Sequence, residues 1–190
     1  GTPTAAVVRV PILDMAWIKR VLDAGAPNIM IPNVRNEAEA KEAVALTRFA
    51  PEGLRGVAGS TRAGNYTRYK DYMARANDEI GLILQIESRE ALDDLDAICR
   101  VPGVDAVFIG PSDLAASLGH RGNAGHPDVQ AAIAKAFKTA NAAGKAAGVL
   151  AADGKAEIYF EGGATLVGVG TDLHLLIAGA DSVAARFRLA

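Results

Sequence analysis

The sequence predicts a parallel α/β fold, in which short buried strands alternate with amphipathic helices. Three observations favour this class. Short, continuously apolar runs alternate along the chain with segments whose apolar residues recur at helical spacing. Continuous apolar runs are typical of parallel strands, because both faces of such a strand are buried. Three of the runs end on polar or ionisable side chains, as strands do where a parallel α/β enzyme builds its active site.

We predict about six strands, each followed by a helix. Asp14 is placed to cap the first helix and Gly25 to end it. Asn36 and Glu39 have the spacing of a capping box at the start of the second helix. The predicted strands span residues 7–10, 28–31, 81–87, 105–110, 146–150 and 165–169.

The later helices are predicted from their apolar stripes. One helix follows the third strand and ends at the turn Pro102-Gly103, and a short helix opens at Pro111. Residues 50–69 are rich in Gly, Arg and Asn and have no steady period, which is typical of a functional or poorly ordered loop. The stripes of the three long helices comprise Leu92, Leu95 and Ile98; Val129, Ile133, Phe137 and Ala140; and Leu173, Leu176, Ile177 and Val183.

The number of predicted βα units and the chain length limit the possible architectures. A complete (β/α)₈, or TIM, barrel takes about 250 residues, or about 30 for each unit. This chain has 190 residues, and no linker-like segment divides it. We therefore expect one domain over residues 1–190, a TIM barrel lacking about its first two βα units, with an open sheet as the alternative. Because the chain opens directly on a strand, the missing units are expected upstream of Gly1.

Composition excludes several classes of partner. The chain carries 22 acidic and 20 basic side chains, a formal net charge of −2, so it has no electrostatic footprint for nucleic acid or an anionic membrane. No apolar run approaches the length of a membrane span. The single cysteine, Cys99, cannot form an intrachain disulfide, which favours a reducing, cytoplasmic location.

Arg9, Glu87 and Asp113 each follow or end a predicted strand, so they are candidates for one site. Any one of them alone fits a surface charge or a helix cap equally well. Two ionised carboxylates about 4 Å apart repel by roughly 4 kcal/mol at an effective dielectric of 20, so Glu87 and Asp113 need a shared proton or a cation. A divalent metal such as Mg²⁺ or Mn²⁺ would satisfy them and keep positions open for a chelating substrate. Gln85 points to the same strand face, and Arg9 could hold a carboxylate or an oxyanion.

Other ionisable residues are less readily assigned. Asp23 lies in the last helical turn, where the macrodipole disfavours an anion, so it is either an exposed, solvated side chain or a group that orients a histidine. His120 and His126 lie in a loop before a helix, and His174 follows the last strand, so none of the three is an obvious base.

At this level of detail the chain resembles the HpcH/HpaI aldolase family, metal-dependent class II aldolases that split 4-hydroxy-2-oxo acids into pyruvate and an aldehyde. The similarity covers essentially the whole chain, and it depends on the order and spacing of several motifs. These motifs are Val8-Arg9-Val10-Pro11, Leu22-Asp23-Ala24-Gly25, Ile31-Pro32-Asn33-Val34, Leu54-Arg55-Gly56-Val57, Gln85-Ile86-Glu87-Ser88, Phe108-Ile109-Gly110-Pro111-Ser112-Asp113-Leu114, Gly122-Asn123, His126-Pro127 and Val167-Gly168-Val169-Gly170.

The resemblance implies a role for each candidate residue. Glu87 and Asp113 would bind a divalent cation (Mg²⁺, Mn²⁺ or Co²⁺), and a small 2-oxo acid substrate would chelate that metal. Gln85, Asp113 and the backbone around Ser112 would hold the substrate. Arg9 would stabilise the enolate-like transition state, and Asp23 would raise the basicity of a catalytic histidine.

The resemblance also implies features beyond this site. The family carries its catalytic histidine in early βα units that this sequence lacks, so the base is expected outside these residues. Members of the family form hexamers that exchange the last helix, so residues 173–189 are expected at a subunit interface.

Two competing interpretations remain at this stage. One is a related lyase acting on an acyl-CoA such as malyl-CoA, for which the cluster Arg55, Arg62 and Arg68 is the basic site that the sequence suggests. The other is a non-catalytic module that binds a metal or an oxo acid and lacks the histidine.

Overall fold

The computed structural model describes residues 3–151, 154 and 156–187. Its centre is a six-stranded sheet in which all neighbouring strands are parallel and follow the order of the chain. The sheet curls into a half-barrel, so the predicted parallel α/β class is confirmed. The strands are β1 (Val7–Arg9), β2 (Asn28–Ile31), β3 (Gly81–Ile86), β4 (Ala106–Ile109), β5 (Ala146–Leu150) and β6 (Leu166–Gly168).

At least one helix follows each strand. Asp14 caps the first helix by accepting a hydrogen bond from the Trp17 N–H at 3.0 Å, and Asn36 caps the second by accepting from the Glu39 N–H at 3.0 Å. The helices are α1 (Met15–Asp23), α2 (Glu37–Thr47), α3 (Tyr72–Glu79), α4 (Arg89–Asp93), α5 (Leu95–Arg100), α6 (Pro111–Ser117), α7 (Pro127–Ala142), α8 (Ala156–Glu161) and α9 (Asp172–Phe187).

Alternation along the strands divides the apolar residues between the two faces of the sheet. One set, which includes Ile29, Leu82 and Val107, packs with the helices in a single large core. The alternate set, Met30, Ile83 and Ala106, forms a smaller cluster with Phe108 and Leu166. Strand register aligns Met30 with Ile83 and Ile83 with Ala106, so this second cluster is one layer on the face of the sheet opposite the helices.

The six predicted strands are confirmed, and two helix predictions need correction. Helix α3 was not predicted, because its charged sequence has only one buried residue, Ala76, and therefore no apolar stripe. The single helix predicted through Leu92 and Ile98 is two short helices separated at Asp94. The second helix also departs from a capping box, since the Glu39 carboxylate accepts from the Arg35 N–H, one residue before the cap.

The structure also bears on what the sequence predicts for Cys99 and for membrane-spanning segments. Cys99 is buried, and burial raises the pKa of its thiol to about 11, so it is an unreactive core residue at neutral pH. None of the helices in the described ranges is both long and apolar enough to cross a membrane. The predicted last-helix segment ends at Leu189, which lies outside the described residues; α9 is described as far as Phe187.

Candidate active site

A cleft of about 600 Å³ opens at the carboxyl ends of β1, β2, β3 and β4. Parallel strands present their C-terminal ends at one edge of the sheet, so loops distant in sequence meet there. Three of the predicted site residues, Arg9, Glu87 and Asp113, line this cleft. The complete lining comprises Arg9, Pro11, Ile12, Leu13, Pro32, Asn33, Arg35, Glu39, Glu42, Glu87 and Asp113.

Glu87 is the most buried carboxylate of the cleft, with only 8% of its surface exposed. It directly follows β3, and its Oε1 accepts a hydrogen bond from the Asn33 backbone N–H at 2.8 Å. Burial is the largest influence on Glu87 and raises its pKa, and the adjacent Asp113 carboxyl group raises it further. The Asn33 hydrogen bond and the positive charge of Arg9 act in the opposite direction and only partly compensate. Burial therefore makes the negative charge of Glu87 costly.

The chain brings Asp113 to Glu87 by the neighbouring strand. β3 pairs with β4 so that Ile86 lies opposite Ile109, and α6 begins two residues after that point. Asp113 lies in the first turn of α6, where the helix dipole favours an anion. The Glu87 and Asp113 carboxyl groups are close enough for Asp113 to raise the pKa of Glu87.

Gly110, which links β4 to α6, leaves the space that the Glu87 carboxylate occupies. A Cβ atom at this position would lie 2.5 Å from Glu87 Oε2 and 3.2 Å from Glu87 Cβ. No side chain larger than hydrogen fits there without moving the carboxylate.

Arg9, at the end of β1, is held by Gln85 from β3. The Arg9 Nε–H donates to Gln85 Oε1 in a short hydrogen bond, and Gln85 itself is buried. Gln85 therefore supports Arg9 instead of lining the cleft. One of the remaining guanidinium N–H groups reaches the Val10 carbonyl at 3.5 Å, and the others have no partner among the described residues.

The donor set of this cleft fits a hard divalent cation. Two carboxylates within reach of each other supply the oxygen ligands that Mg²⁺ and Mn²⁺ prefer. Burial and the neighbouring Asp113 carboxyl group both raise the pKa of Glu87, and a bound cation would oppose both effects. Gly110 leaves the Glu87 carboxylate the room to take part.

The other two predicted site residues lie elsewhere. Ser112 is exposed and lines a neighbouring groove with Gly125 and Tyr159. Asp23 does not line the cleft, because α1 runs back from the carboxyl end of β1 and places its last turn near the start of β3.

The surroundings of Asp23 are those of a buried ion-pair network. Its Oδ1 accepts from Arg55 at 2.8 Å, and Lys19 pairs with its other oxygen. Burial alone would raise the pKa of Asp23, but the hydrogen bonds from Arg55 and Lys19 outweigh burial and lower the pKa. Arg55 also donates to the Tyr72 hydroxyl at 3.1 Å and stacks over the Phe49 ring.

Two contributions were not recognised in the sequence. Asn33 has a positive φ of 51°, and its backbone N–H donates to Glu87. The signal was Asn after Pro32 at a strand end, since Asn tolerates this region better than most residues. The sequence groups Arg55 with Arg62 and Arg68 as a candidate basic cluster, whereas Arg55 is 3% exposed and paired with Asp23.

Among the residues that the structure describes, no histidine lines the cleft. His120 and His126 stack on each other at the start of α7, and His174 lies in the exposed helix α9.

A curled parallel sheet with carboxylates and an arginine at its carboxyl edge is typical of enzymes built on an α/β barrel. Comparison with known proteins assigns the chain to one family. The chain belongs to the HpcH/HpaI aldolase/citrate lyase family, whose model matches residues 1–179.

Individual relatives agree with the family assignment. The chain is 48% identical over 189 residues to a 5-keto-4-deoxy-D-glucarate aldolase of Escherichia coli, a match that covers 99% of this chain and 74% of that protein. It superimposes with a TM-score of 0.94 on the crystal structure of a HpcH/HpaI aldolase/citrate lyase family protein from Burkholderia cenocepacia, at 41% identity over 98% of this chain and 75% of the other. The HpcH/HpaI aldolase from Desulfitobacterium hafniense gives 0.84 at 33% identity, over 98% and 74% of the two chains. The predicted family and the predicted class, a metal-dependent aldolase among the lyases, are confirmed.

Proposed function

We propose that the cleft bounded by Arg9, Glu87 and Asp113 is the site where a 4-hydroxy-2-oxo acid is cleaved to pyruvate and an aldehyde. The observation that carries this proposal is the juxtaposed pair of carboxylates, one of them buried with a raised pKa, beside a partly free guanidinium. This arrangement suits a bound cation and a negatively charged substrate together.

For the substrate, we propose a six-carbon keto-deoxy sugar diacid. The support is the 48% identity to a 5-keto-4-deoxy-D-glucarate aldolase. Cleavage of such a diacid between the carbons β and γ to its keto-acid carboxyl group gives pyruvate and a three-carbon hydroxy-aldehyde acid. Both products are small anions. The same similarity favours this substrate class over an acyl-CoA, and the burial of Arg55 removes one member of the basic cluster that an acyl-CoA site would have used.

The roles of the cleft residues follow from their positions. A divalent cation such as Mg²⁺, Mn²⁺ or Co²⁺, held by Glu87 and Asp113, would supply Lewis-acid polarisation of the keto group. Arg9 binds the oxygen on which negative charge develops as the carbon–carbon bond breaks, and its free N–H groups stabilise that charge. Gln85 holds the guanidinium in place by its hydrogen bond to Nε. Asp113 and the Ser112 backbone are proposed to contact the substrate.

The proton-transfer group is proposed to lie on polypeptide beyond the described residues. This proposal is supported by the cleft lining, which contains carboxylates and arginines but no histidine in the described ranges. Asp23 keeps its predicted role of orienting that histidine only as a proposal, because its contacts here are with Lys19 and Arg55.

We also propose that the complete protein is a closed barrel with two more βα units, and that it forms a hexamer in the cytoplasm. In the described part of the chain, no strand pairs with the outer edge of β1 or of β6. The exposed apolar surface of α9 supports the proposed contact between subunits. A single, buried cysteine is compatible with a reducing compartment.

The proposal is tested by calorimetric titration with Mn²⁺ and by an assay of pyruvate release from the keto-deoxy diacid, both on the full-length protein. Glu87→Gln and Asp113→Asn should each abolish Mn²⁺ binding and pyruvate release, whereas Glu161→Gln, an exposed acidic control in α8, should change neither. Arg9→Lys should keep Mn²⁺ affinity and lower turnover roughly 10²-fold, because a lysine lacks the planar donor set. Unchanged Mn²⁺ affinity in both carboxylate variants would remove the metal assignment.

A further inference from the structure

A second group of metal-ligating side chains lies at the start of α7, outside the cleft. His120, His126 and Asp128 each present one ligand atom, and these atoms all lie within 4.8 Å of one another. The two imidazole rings stack with their centroids 3.5 Å apart. We propose that these three side chains form a second site for a divalent transition-metal ion of the zinc type.

The distances among the three groups are close to those of a coordinated set. His120 Nε2 lies 3.2 Å from Asp128 Oδ2, and His126 Nδ1 lies 3.7 Å from the same oxygen. Ligand atoms in a tetrahedral site with bonds of about 2.0–2.1 Å lie about 3.3 Å apart. The His126 ring has to move towards Asp128, and the two imidazoles have to turn out of their nearly parallel stack, so that both lone pairs point at one ion. Coordination would replace the 3.2 Å hydrogen bond that His126 Nδ1 now accepts from the Asp128 N–H.

The backbone holds this cluster in place without a metal. The His120 N–H donates to Ala115 at 2.7 Å, the Asn123 N–H donates to the His120 carbonyl at 2.9 Å, and the His126 N–H donates to Asn123 at 3.1 Å. These turns return the chain so that two histidines six residues apart face the same carboxylate. Ion binding here would therefore cost little conformational entropy, because these hydrogen bonds already order the loop.

The chemistry of the cluster differs from that of the cleft. Two imidazoles and one carboxylate suit Zn²⁺, Ni²⁺ or Cu²⁺, whereas the oxygen-only pair in the cleft suits Mg²⁺ or Mn²⁺. His120 and Asp128 also line a cavity of about 330 Å³, which leaves space for water to complete the coordination. Both histidines are partly exposed, so an ion can reach them. Such an ion would join the loop after α6 to the first turn of α7.

The test is calorimetric titration of the full-length protein with ZnCl₂ in excess Mg²⁺, which occupies the oxygen site. We expect one zinc ion for each chain. His120→Gln and His126→Asn should each weaken zinc binding at least about tenfold, a loss known even for groups that only support metal ligands. Asparagine keeps an acceptor able to cap α7, so loss of folding does not explain the result for His126→Asn. His174→Gln, an exposed histidine in α9, is the matched control and should bind zinc as the wild type does.

Two further measurements separate this site from the cleft. The double variant Glu87→Gln/Asp113→Asn should retain the zinc ion, and its zinc X-ray absorption spectrum should show two imidazole ligands. Wild-type zinc affinity in both His120→Gln and His126→Asn would overturn the proposal. A spectrum with oxygen ligands alone, or loss of zinc from the double variant, would also overturn it.

Discussion

Gly110 determines where the Glu87 carboxylate can lie, although it carries no functional group itself. Its backbone angles, φ −95° and ψ 94°, are open to any residue, so alanine introduces no backbone strain. The added Cβ would, however, lie 2.5 Å from Glu87 Oε2. We expect Gly110→Ala to displace that carboxylate and to weaken Mn²⁺ binding at least about tenfold, with little change in melting temperature. Calorimetric titration and thermal unfolding of the same preparation measure the two effects.

Gly59 supplies the control for this experiment. No atom lies within 4 Å of a Cβ built at this position, so Gly59→Ala should bind Mn²⁺ as the wild type does. Normal Mn²⁺ affinity in Gly110→Ala would show that Glu87 is not positioned by this contact.

Asp23 and Arg55 allow a catalytic role to be separated from a structural one. Arg55 is 3% exposed, so Asp23→Asn would leave its buried positive charge without an anionic partner. Removal of one partner from a buried ion pair lowers the free energy of unfolding by about 3–5 kcal/mol. We expect the lower end of that range, because Asp23 keeps some contact with solvent. The pKa of Asp23 is lowered by folding, so its contribution is present above about pH 4 and is lost as the pH falls through the lowered value. Urea unfolding should therefore show a larger difference in the free energy of unfolding between Asp23→Asn and the wild type at pH 7 than at pH 3.

The exposed pair between Lys41 and Glu37 provides the comparison. Glu37→Gln should change the free energy of unfolding by less than about 1 kcal/mol at pH 7, as is usual for solvated ion pairs. A stable Asp23→Asn variant with reduced turnover would contradict the structural role and favour the predicted action on a histidine.

At this scale, the sequence predicts residues whose position follows from strand ends, and it misses residues whose role depends on local backbone or burial. Glu87 and Asp113 could be placed together because consecutive parallel strands are neighbours. The contribution of Asn33 depends on a positive φ that no periodicity reveals. Arg55 could not be distinguished from a surface arginine, because its burial results from a loop without a repeating pattern.

The register between β3 and β4 brings the carboxylates of Glu87 and Asp113 together. Asp105, directly before β4, fixes the start of this strand pairing. The Asp105 carboxylate accepts the Leu82 N–H at 2.8 Å, and the Asp105 N–H donates to the Leu82 carbonyl at 3.0 Å. Leu82 is fully buried, so its N–H has no access to bulk water. We expect Asp105→Ala to destabilise the protein by about 1–3 kcal/mol, the cost of an unsatisfied buried donor.

Asp105→Asn is the matched variant, because the amide oxygen can still accept from Leu82. It should lose less than about 1 kcal/mol in the same denaturant titration. Equal losses in the alanine and asparagine variants would show that the negative charge of Asp105, and not the hydrogen bond, supports this register.

Among the helices and strands, those with a clear apolar pattern are the ones that the sequence predicts well. Strands β2 to β5 and α7 each bury several residues, and the sequence predicts them well. The edge strands β1 and β6 bury none, and their apolar sequences alone predict them. Helix α3 buries only Ala76, so no stripe marks it. The apolar stripe continues on both sides of Asp94. Periodicity alone therefore predicts one helix where the structure has two.

At the scale of the whole molecule, the described part of the chain leaves both outer edges of the sheet without a paired strand and the apolar surface of α9 exposed. None of the described residues of α9 is buried. Its apolar side chains recur at helical spacing and are largely exposed: Leu173 60%, Leu176 70%, Val183 54% and Phe187 74%. A stripe of this kind normally faces another surface. The sequence predicts the helix, but periodicity cannot show which surface covers it.

The proposed hexamer makes this stripe an interface, and that assignment can be tested on the full-length protein by light scattering after size-exclusion chromatography. The wild type should have six times the mass of one chain. Leu176→Lys combined with Val183→Lys places two charges in the stripe and should lower the mass, since an unpaired charge at an apolar contact costs several kcal/mol. Ser182→Lys adds a charge to the same helix about 180° from Leu173, and it should keep the wild-type mass. If the double variant retains the wild-type mass, the stripe is covered within one subunit, and the apolar face of α9 then belongs to the closing of the barrel.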